Sequence, residues 1–294
     1  MKPKQFSRTA EIVAAWRAAE AMRPADERVC NDYLACRLVS PALQTIVATG
    51  FLRTLGHRYS ERQAPGMPGL VLTRTRYIDD RLQVCLDEGL EQLVILGAGL
   101  DSRAYRFPAL AAGVRVFEVD HPATQQEKQN RVRKAMGSLP DHVTYVAVDF
   151  DQEKPGRKLY AAGYGNDKKT LFIWEGVVTY LTAAAVDETL AFMAGHSAPG
   201  SSLIMSYLHR SVIDGRQAET EETRRFVKAI RKRGEPATFG IDEAEVADFL
   251  TRRGFGRVTH DAMPALGRRY FTGARSGQRI FPWAGIARAV VNPL

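Results

Sequence analysis

A glycine-containing turn is the first segment of the chain whose residue types could do chemistry. It reads GAGLDS at 97–102 and follows the apolar run QLVILG at 92–97. Glycines allow a tight turn and let a ligand approach the main chain closely. Ser102 stands where a dinucleotide fingerprint would have its third small residue. Asp101 would repel a pyrophosphate at this helix start but attract an ammonium group, which favours an amino-acid-like ligand. The alternative is a structural turn in which Asp101 caps a helix.

Acidic residues follow the next apolar segments of the sequence. Glu118 and Asp120 come about 20 residues after the glycines, where a carboxylate can accept hydrogen bonds from ribose hydroxyls. Side-chain alternation puts both on one face of a strand, so either could serve. Asp149 could accept from an adenine amine while Phe150 covers the ring, and Glu175 brings a carboxylate to the sheet centre. Each acid alone could cap a helix, but together they indicate a nucleoside-containing ligand.

The elements that must position these residues alternate between strands and helices. We predict strands at 92–97, 114–119, 142–148, 170–175, 201–208, 256–261 and 269–274, and helices at 75–88, 122–136, 183–196 and 242–253. Residues 8–58 have helical spacing of apolar side chains, and 63–69 is predicted to be a loop from its proline and glycine content. The alternation predicts an α/β fold with a parallel sheet covered on both faces. Ligands of such sheets bind at the carboxyl ends of the strands.

Four segments share one resemblance: LVILGAGLDSRAYRF (93–107), VFEVDHP (116–122), VDFD (148–151) and WEGVVTYL (174–181). They resemble the leucine carboxyl methyltransferase family, whose members use S-adenosylmethionine and include bacterial polyketide carboxyl O-methyltransferases of secondary metabolism. The resemblance extends from about residue 8 to about 275. It implies a Rossmann-like class I methyltransferase with a seven-stranded, mostly parallel sheet, helices on both faces, an antiparallel last strand and an N-terminal helical lid. We expect the lid at 1–70 and the core at 71–294, with a substrate-pocket insertion at about 207–240.

The resemblance also implies which residues contact each part of the cofactor. The methionine part would be lined by Gly97, Ala98, Gly99 and Asp101, with Glu175 close to the ammonium. The ribose would be held by Asp120 with Glu118 beside it, and the adenine by Asp149 with Phe150. The family also has an arginine just before the first strand that clamps the cofactor carboxylate. Arg74 and Arg76 are the candidates, and we favour Arg74, although either could be a surface arginine.

The methyl acceptor is open between a carboxylate and a phenol. A carboxylate is ionised at pH 7 and needs no base, whereas a phenol would benefit from one. The end of the fifth strand and the residues after it supply the catalytic candidates: His209 as a base, Arg210 to attract an anionic substrate, and Tyr207 beside them. Ordinary structural roles are the alternative for the histidines, and His121 suits a helix start. We expect the substrate to be a small acidic or phenolic molecule, and we favour a carboxylate as the group that is methylated. We see no set of residues with metal-ligand spacing.

Charge and composition limit the other function classes. The chain has 294 residues and a net charge of +8. Much of the excess lies in Arg224, Arg225, Lys228, Arg231, Lys232 and Arg233, on a predicted helix. This run could bind nucleic acid, but without interleaved aromatic residues a solvated helix face is the favoured interpretation, and we predict no nucleic-acid partner. A nicotinamide-dependent oxidoreductase would tolerate the same glycine and acid spacing; Asp101 and Ser102 argue against it.

The remaining features concern location and assembly. We find no apolar run of about 18 residues and no signal peptide, and the three cysteines suit a reducing compartment, so we expect a cytoplasmic protein without a membrane segment. In the tail at 276–294, Phe281 and Trp283 could cover the pocket or form a homodimer contact, although ordinary packing is favoured.

Overall fold

The fold is described from a computed structural model, in which residues 6–150, 152–215 and 237–292 are described. Within them the chain forms a seven-stranded sheet. The strands are β1 (Gln92–Leu96), β2 (Arg115–Asp120), β3 (Val143–Ala147), β4 (Thr170–Trp174), β5 (Ser202–Leu208), β6 (Phe255–Ala262) and β7 (Ala284–Val291). Their spatial order is β3-β2-β1-β4-β5-β7-β6, and β7 alone runs antiparallel to its neighbours β5 and β6. The predicted sheet is therefore confirmed, including its antiparallel last strand.

Helices precede, connect and cover the strands. They are α1 (Arg8–Ala21), α2 (Ala35–Leu38), α3 (Pro41–Ala48), α4 (Gly50–Gln63), α5 (Met67–Asp87), α6 (Arg103–Arg106), α7 (Pro108–Ala111), α8 (Pro122–Met136), α9 (Pro155–Ala161), α10 (Ala183–Gly195), α11 (Arg210–Ile213), α12 (Val246–Thr251) and α13 (Met263–Tyr270). Short 3₁₀ turns occupy Val178–Tyr180, Glu243–Glu245 and Gly273–Arg275. None of the helices in the described ranges is long and apolar enough to span a bilayer.

The sheet is buried on both faces because successive side chains of each strand point to opposite sides. In β1, Leu93 and Ile95 join one core with helices α5 and α13, whereas Val94 and Leu96 join another with helices α10 and α12. The predicted cover of helices on both faces is thus confirmed. The strand order reverses at β1, which lies between β2 and β4, so a crevice opens outside the carboxyl ends of these strands.

Two predicted elements were wrong. Residues 269–274 are not a strand: α13 continues to Tyr270 and a 3₁₀ turn follows, because Met263 and Leu266 bury one face of a helix in the core. The seventh strand is instead β7, in the tail beyond the recognised resemblance. The loop predicted at 63–69 ends earlier, since α5 begins at Met67; a proline in the first helical turn is tolerated because its missing N–H would have no helical partner.

The remaining predictions on organisation have mixed outcomes. Helix α5 runs without a break through the boundary expected between residues 70 and 71, and the division into lid and core stays a prediction. The basic run at 224–233 and most of the insertion at 207–240 lie outside the described residues. In the tail, Phe281 is 3% exposed and packs in the core, where its N–H donates to the Gly66 carbonyl over 2.9 Å.

Candidate active site

A cavity of about 470 Å³ lies at the carboxyl ends of β1, β2, β3 and β4, with helix α1 forming another wall. All of the predicted cofactor residues except Glu118 and Arg76 line it; these are Arg74, Gly97, Ala98, Gly99, Asp101, Asp120, Asp149, Phe150 and Glu175. From the N-terminal segment, Ser7, Thr9, Ala10, Val13 and Arg17 line it as well. Residues from distant parts of the sequence therefore converge on one space, which is large enough for a cofactor of nucleoside size.

The glycine turn has a backbone that other residues would not adopt easily. Gly97 has φ +65° and Gly99 has φ +45°, both in the left-handed region. A Cβ at Gly97 would lie 2.1 Å from a side-chain carbon of Val177, so there is no room for a larger residue. The amides of Gly99 and His121 donate to the Asp120 carboxylate, the latter over 2.6 Å. The turn and the end of β2 are thereby held together, with Asp120 facing the cavity.

Glu175 is held between two arginines at the end of β4. Its Oε1 lies 2.7 Å from Arg74 Nε and its Oε2 lies 2.6 Å from Arg103 Nη1. The same Arg103 nitrogen lies 2.5 Å from Asp101 Oδ2. Burial would raise the pKa of Glu175, but Arg103, Arg74 and Arg17 outweigh it and lower the pKa to about 2. Glu175 is therefore ionised throughout the physiological pH range.

A second group of buried ion pairs ties helix α1 to the glycine turn. Arg17 Nε lies 2.8 Å from Asp32, and its Nη2 donates to the Leu100 carbonyl over 2.7 Å. The Ser102 hydroxyl donates to the same Asp32 carboxylate. Burial would raise the pKa of Asp32, yet Arg17 and Arg106 lower it below its usual value. The N-terminal residues are thus part of the cavity wall through charged contacts and not only through apolar packing.

Two predicted cofactor residues do not reach the cavity. Glu118 is 1% exposed and forms an ion pair with Lys128 over 2.8 Å. Burial raises the pKa of Glu118 to about 7, although Lys128 opposes this. Alternation alone could not separate Glu118 from Asp120; the buried lysine does. Arg76 forms a surface ion pair with Asp80 over 2.7 Å, so of the two arginines only Arg74 lines the cavity.

A smaller cavity of about 90 Å³ adjoins the first, with which it shares Thr9, Val13, Arg74, Gly176 and Tyr180. Its remaining walls come from helices α1 and α5, the end of β5, the start of β7 and Met263. No His, Asp, Glu, Lys or Cys side chain among the described residues lines it. Tyr207, near the end of β5, does contribute to its wall, and a catalytic role for this residue stays a prediction.

The other two catalytic candidates are not brought to either cavity. The His209 ring is stacked 6.1 Å from that of Tyr207 and lies edge-on to Trp283. Burial lowers its pKa, and its Nε2 has no hydrogen-bond partner within the described part of the chain. The Arg210 side chain is 44% exposed and its Nη2 lies 3.0 Å from Glu245. His121 begins helix α8 as expected, its Nδ1 accepting from the Ala123 amide over 3.3 Å.

Comparison with known proteins identifies the family. A family model described as leucine carboxyl methyltransferase matches residues 10–194. The chain belongs to this family. It is 35% identical over 269 residues to a "Putative S-adenosyl-L-methionine-dependent methyltransferase" of Mycobacterium sp. (strain JLS), covering 84% of this chain and 83% of the relative. It is 30% identical over 210 residues to "Putative S-adenosyl-L-methionine-dependent methyltransferase YktD" of Bacillus subtilis (strain 168), covering 71% and 68%.

Solved structures share the fold of this leucine carboxyl methyltransferase family member. A DUF574 family protein from Streptomyces avermitilis superposes with a TM-score of 0.63 at 14% identity, covering 98% of both chains. A putative methyltransferase from Thermobifida fusca gives 0.61 at 13% identity, covering 99% of this chain and 97% of its own. The family resemblance and the fold predicted from the sequence are both confirmed.

The family match covers all of the predicted cofactor residues and ends before the three catalytic candidates. The glycine turn and all four acidic strand ends lie within residues 10–194, whereas Tyr207, His209 and Arg210 lie beyond them. Sequence reasoning missed Arg17 and Arg103. Arg103 lies two residues after Asp101, within the segment 93–107 that carries the family resemblance. That position was the one sequence signal that could have identified it. Among the described residues, no group of three or more His, Cys, Asp or Glu side chains could hold a metal ion.

Proposed function

We propose that this chain transfers the methyl group of S-adenosylmethionine to a carboxylate oxygen of a small molecule and so forms a methyl ester. The cofactor and reaction class follow from the family and from the relatives named S-adenosylmethionine-dependent methyltransferases. The choice of a carboxylate as acceptor is supported by one observation: the described walls of the smaller cavity carry no His, Asp, Glu, Lys or Cys side chain to take a proton from the acceptor.

The large cavity suits the parts of this cofactor. Asp101 and Glu175 place negative charge near one end, which suits a sulfonium and an ammonium, and Arg74 beside them offers a planar guanidinium to a carboxylate. Asp120 is positioned by two backbone amides and keeps lone pairs for ribose hydroxyls. The left-handed backbone of Gly97 and Gly99 turns the chain sharply at the cavity wall, where both glycines line it. Asp149 and Phe150 remain the residues for the adenine.

S-adenosylmethionine, held by Arg74, Asp120 and Glu175, would supply an activated methyl group; its transfer to an acceptor oxygen would leave the electron pair of the broken C–S bond on sulfur. A carboxylate acceptor enters this step already ionised, so no residue has to take a proton. The chain contributes alignment, exclusion of water and one nearby positive charge from Arg74, which lines both cavities. These are roles that the described residues can perform.

Phenol methylation is the second candidate, because the buried Nε2 of His209, next to Tyr207, has no hydrogen-bond partner among the described residues. The position of His209 outside both cavities disfavours it. Methyl transfer to carboxylic acids and phenols of matched skeletons, followed from pH 6 to 9, tests the choice. A carboxylate acceptor should give a nearly flat profile, because its pKa of about 4 lies well below this range. A rate that rises towards the pKa of the phenol and falls in His209→Ala would favour the phenol.

The cofactor itself can be tested before any acceptor is known. Isothermal titration with S-adenosylmethionine and with NAD compares the proposed ligand with that of the oxidoreductase alternative. We expect heat of binding with the first and none with the second, because Asp101 and Ser102 leave no anion site for a pyrophosphate at the start of α6. Binding of NAD alone would contradict the proposed function.

A further inference from the structure

A fully buried lysine on helix α8 lies against the glycine turn without lining either cavity. The side chain of Lys128 is 1% exposed, and its Nζ lies 2.8 Å from Oε1 of the equally buried Glu118. Lysine is seldom buried so completely, because its ammonium loses its water. A buried ion pair contributes little to stability compared with apolar side chains of the same size, since the loss of water offsets the attraction. Its surroundings indicate a role at the cofactor site instead.

One peptide group connects this lysine to Asp120. Lys128 Nζ donates to the Ala98 carbonyl over 3.5 Å. The N–H of the same peptide group belongs to Gly99 and donates to the Asp120 carboxylate. A carbonyl that accepts a hydrogen bond polarises its peptide group and strengthens the hydrogen bond that the N–H donates. The charge of Lys128 therefore acts on Asp120 through the peptide group between Ala98 and Gly99.

The ionisation of Asp120 depends on the same charge. Burial raises the pKa of Asp120, whereas the amides of Gly99 and His121 and the charges of Lys128 and His121 oppose that rise. An ionised carboxylate offers only acceptors, and the hydrogen bonds that it accepts are stronger than those of a neutral acid. Lys128 thus favours the form of Asp120 that suits ribose hydroxyls.

The partner of Lys128 belongs to a buried group of titratable side chains. Glu118 also accepts from the Tyr105 hydroxyl over 2.9 Å, and Tyr105 is hydrogen-bonded to Tyr145 over 3.1 Å. Burial and the charge of Asp101 raise the pKa of Glu118, to about 7, although Lys128 opposes this. Burial raises the pKa of both tyrosines, so their hydroxyls stay protonated. When Glu118 takes up a proton, the pair loses its negative member, and the positive charge beside the glycine turn stays.

We propose that Lys128 is a positioning residue for S-adenosylmethionine: its ammonium, held by Glu118, fixes the peptide group between Ala98 and Gly99 and prepares the Asp120 carboxylate for the ribose hydroxyls. The inference rests on the proposed function through its assignment of Asp120 to the ribose. Because Lys128 lines neither cavity, it acts through Asp120 and the glycine turn and not by contact with the cofactor.

Two proteins that differ only at residue 128 test this role. Glu118→Gln imitates the protonated carboxyl and keeps the lysine. Glu118→Gln combined with Lys128→Met also removes the ammonium, and it leaves no buried charge of this pair without a partner. Affinity for S-adenosylmethionine is measured for both by isothermal titration between pH 5 and pH 8. The ratio of the two affinities is the readout, because the cofactor's own groups titrate alike in both experiments.

We expect the protein with both substitutions to bind S-adenosylmethionine about tenfold more weakly than Glu118→Gln at pH 5, with a smaller difference at pH 8. Without Lys128 the pKa of Asp120 rises, and a rise of one in the pKa lowers the ionised fraction up to tenfold at pH values below it. The carboxylate loses its charge as pH falls through its pKa, so the difference should grow towards low pH. The melting temperature should not fall when Lys128→Met is added, because a buried charge is removed.

Tyr145→Phe is the control, since Tyr145 belongs to the same buried group but contacts Tyr105 and not the glycine turn. It should bind the cofactor as the wild type does at every pH. Equal affinities of the two proteins that differ at residue 128 would overturn the role of Lys128. A difference that is the same at pH 5 and pH 8, or the same pH-dependent loss in Tyr145→Phe, would overturn it as well. Unchanged affinity in Asp120→Ala would instead overturn the ribose assignment of the proposed function, whichever result the change at residue 128 gives.

Discussion

Replacing Glu175 by glutamine removes a carboxylate on which two buried arginines converge. Arg74 Nε and Arg103 Nη1 lie 2.7 and 2.6 Å from its two oxygens. Glutamine offers one acceptor oxygen in place of two, and its amide nitrogen would face a guanidinium donor. One buried arginine would therefore lose its partner and the second would lose the attraction of a full negative charge.

The pKa of Glu175 gives the size of the effect. It is lowered from 4.5 to about 2, because Arg103, Arg74 and Arg17 outweigh burial. A lowering of about 2.5 pH units corresponds to about 3 kcal/mol of folding free energy at pH 7. Since the folded-state pKa lies below the unfolded-state value, this stabilisation is complete above about pH 5 and is lost as pH falls through 4.5 towards 2. At pH 3 less than half of it, about 1 kcal/mol, should remain.

Urea unfolding of the wild type and Glu175→Gln at several values between pH 7 and pH 3 tests this. The difference in unfolding free energy should be about 3 kcal/mol at pH 7 and should fall by roughly half or more at pH 3. Glu91→Gln is the control, because Glu91 is paired with Lys168 over 3.2 Å at the surface, where solvent screens the pair. If the Glu175→Gln difference is the same at both pH values, or no larger than that of the control, the charge of Glu175 does not stabilise the fold as described.

Three further changes test the site. Asp120→Ala should weaken S-adenosylmethionine binding about tenfold or more by titration calorimetry, because charge-assisted hydrogen bonds to the ribose are lost. Unchanged affinity in a folded protein would contradict the ribose assignment. Glu118→Gln, which lies outside the cavity, should weaken cofactor binding less. Arg74→Lys keeps the charge but loses the planar fork and should weaken cofactor binding clearly, whereas Arg76→Lys at the surface should not; equal effects would place the clamp elsewhere. His209→Ala should lower the methyl-transfer rate less than about tenfold, and a loss of 10²–10⁴ would instead indicate a general base.

The sequence predicted those helices and strands whose own residues mark their ends and whose apolar pattern matches the burial they have in the fold. Helix α8 has the predicted bounds at 122–136, because a proline follows His121 at its start and Gly137, with φ +91°, ends it. Strands β1 to β5 were found within one or two residues, since each is a short apolar run bounded by turns. β7 was missed because its sequence, AGIARAVV, is rich in alanine and glycine, which pack well between two strands but have little strand preference.

The candidate site was predictable where one segment carries the signal and not where partners are distant in sequence. The glycine turn and strand ends are local patterns, so their convergence followed from the sheet topology. The pairing of Arg103 with Glu175 joins residues 72 positions apart, and that of Arg17 with Leu100 joins residues 83 positions apart. Nothing in the spacing shows which arginine turns inward. For the same reason the sequence does not distinguish Glu118 from Asp120. In the structure, Glu118 forms an ion pair with Lys128, which separates the two residues.

The position of β7 has a consequence for the order in which the molecule is built. β7 is the last strand along the described part of the chain, yet it lies between β5 and β6, and within that part β6 pairs with no other strand. During synthesis, the β3-β2-β1-β4-β5 part of the sheet can assemble while one edge of β5 is still open and β6 has nothing to pair with. The strand ends that line the large cavity thus belong to the early-formed part of the sheet, whereas the wall of the smaller cavity at Ala284 and Gly285 is completed only when β7 has emerged from the ribosome and inserted.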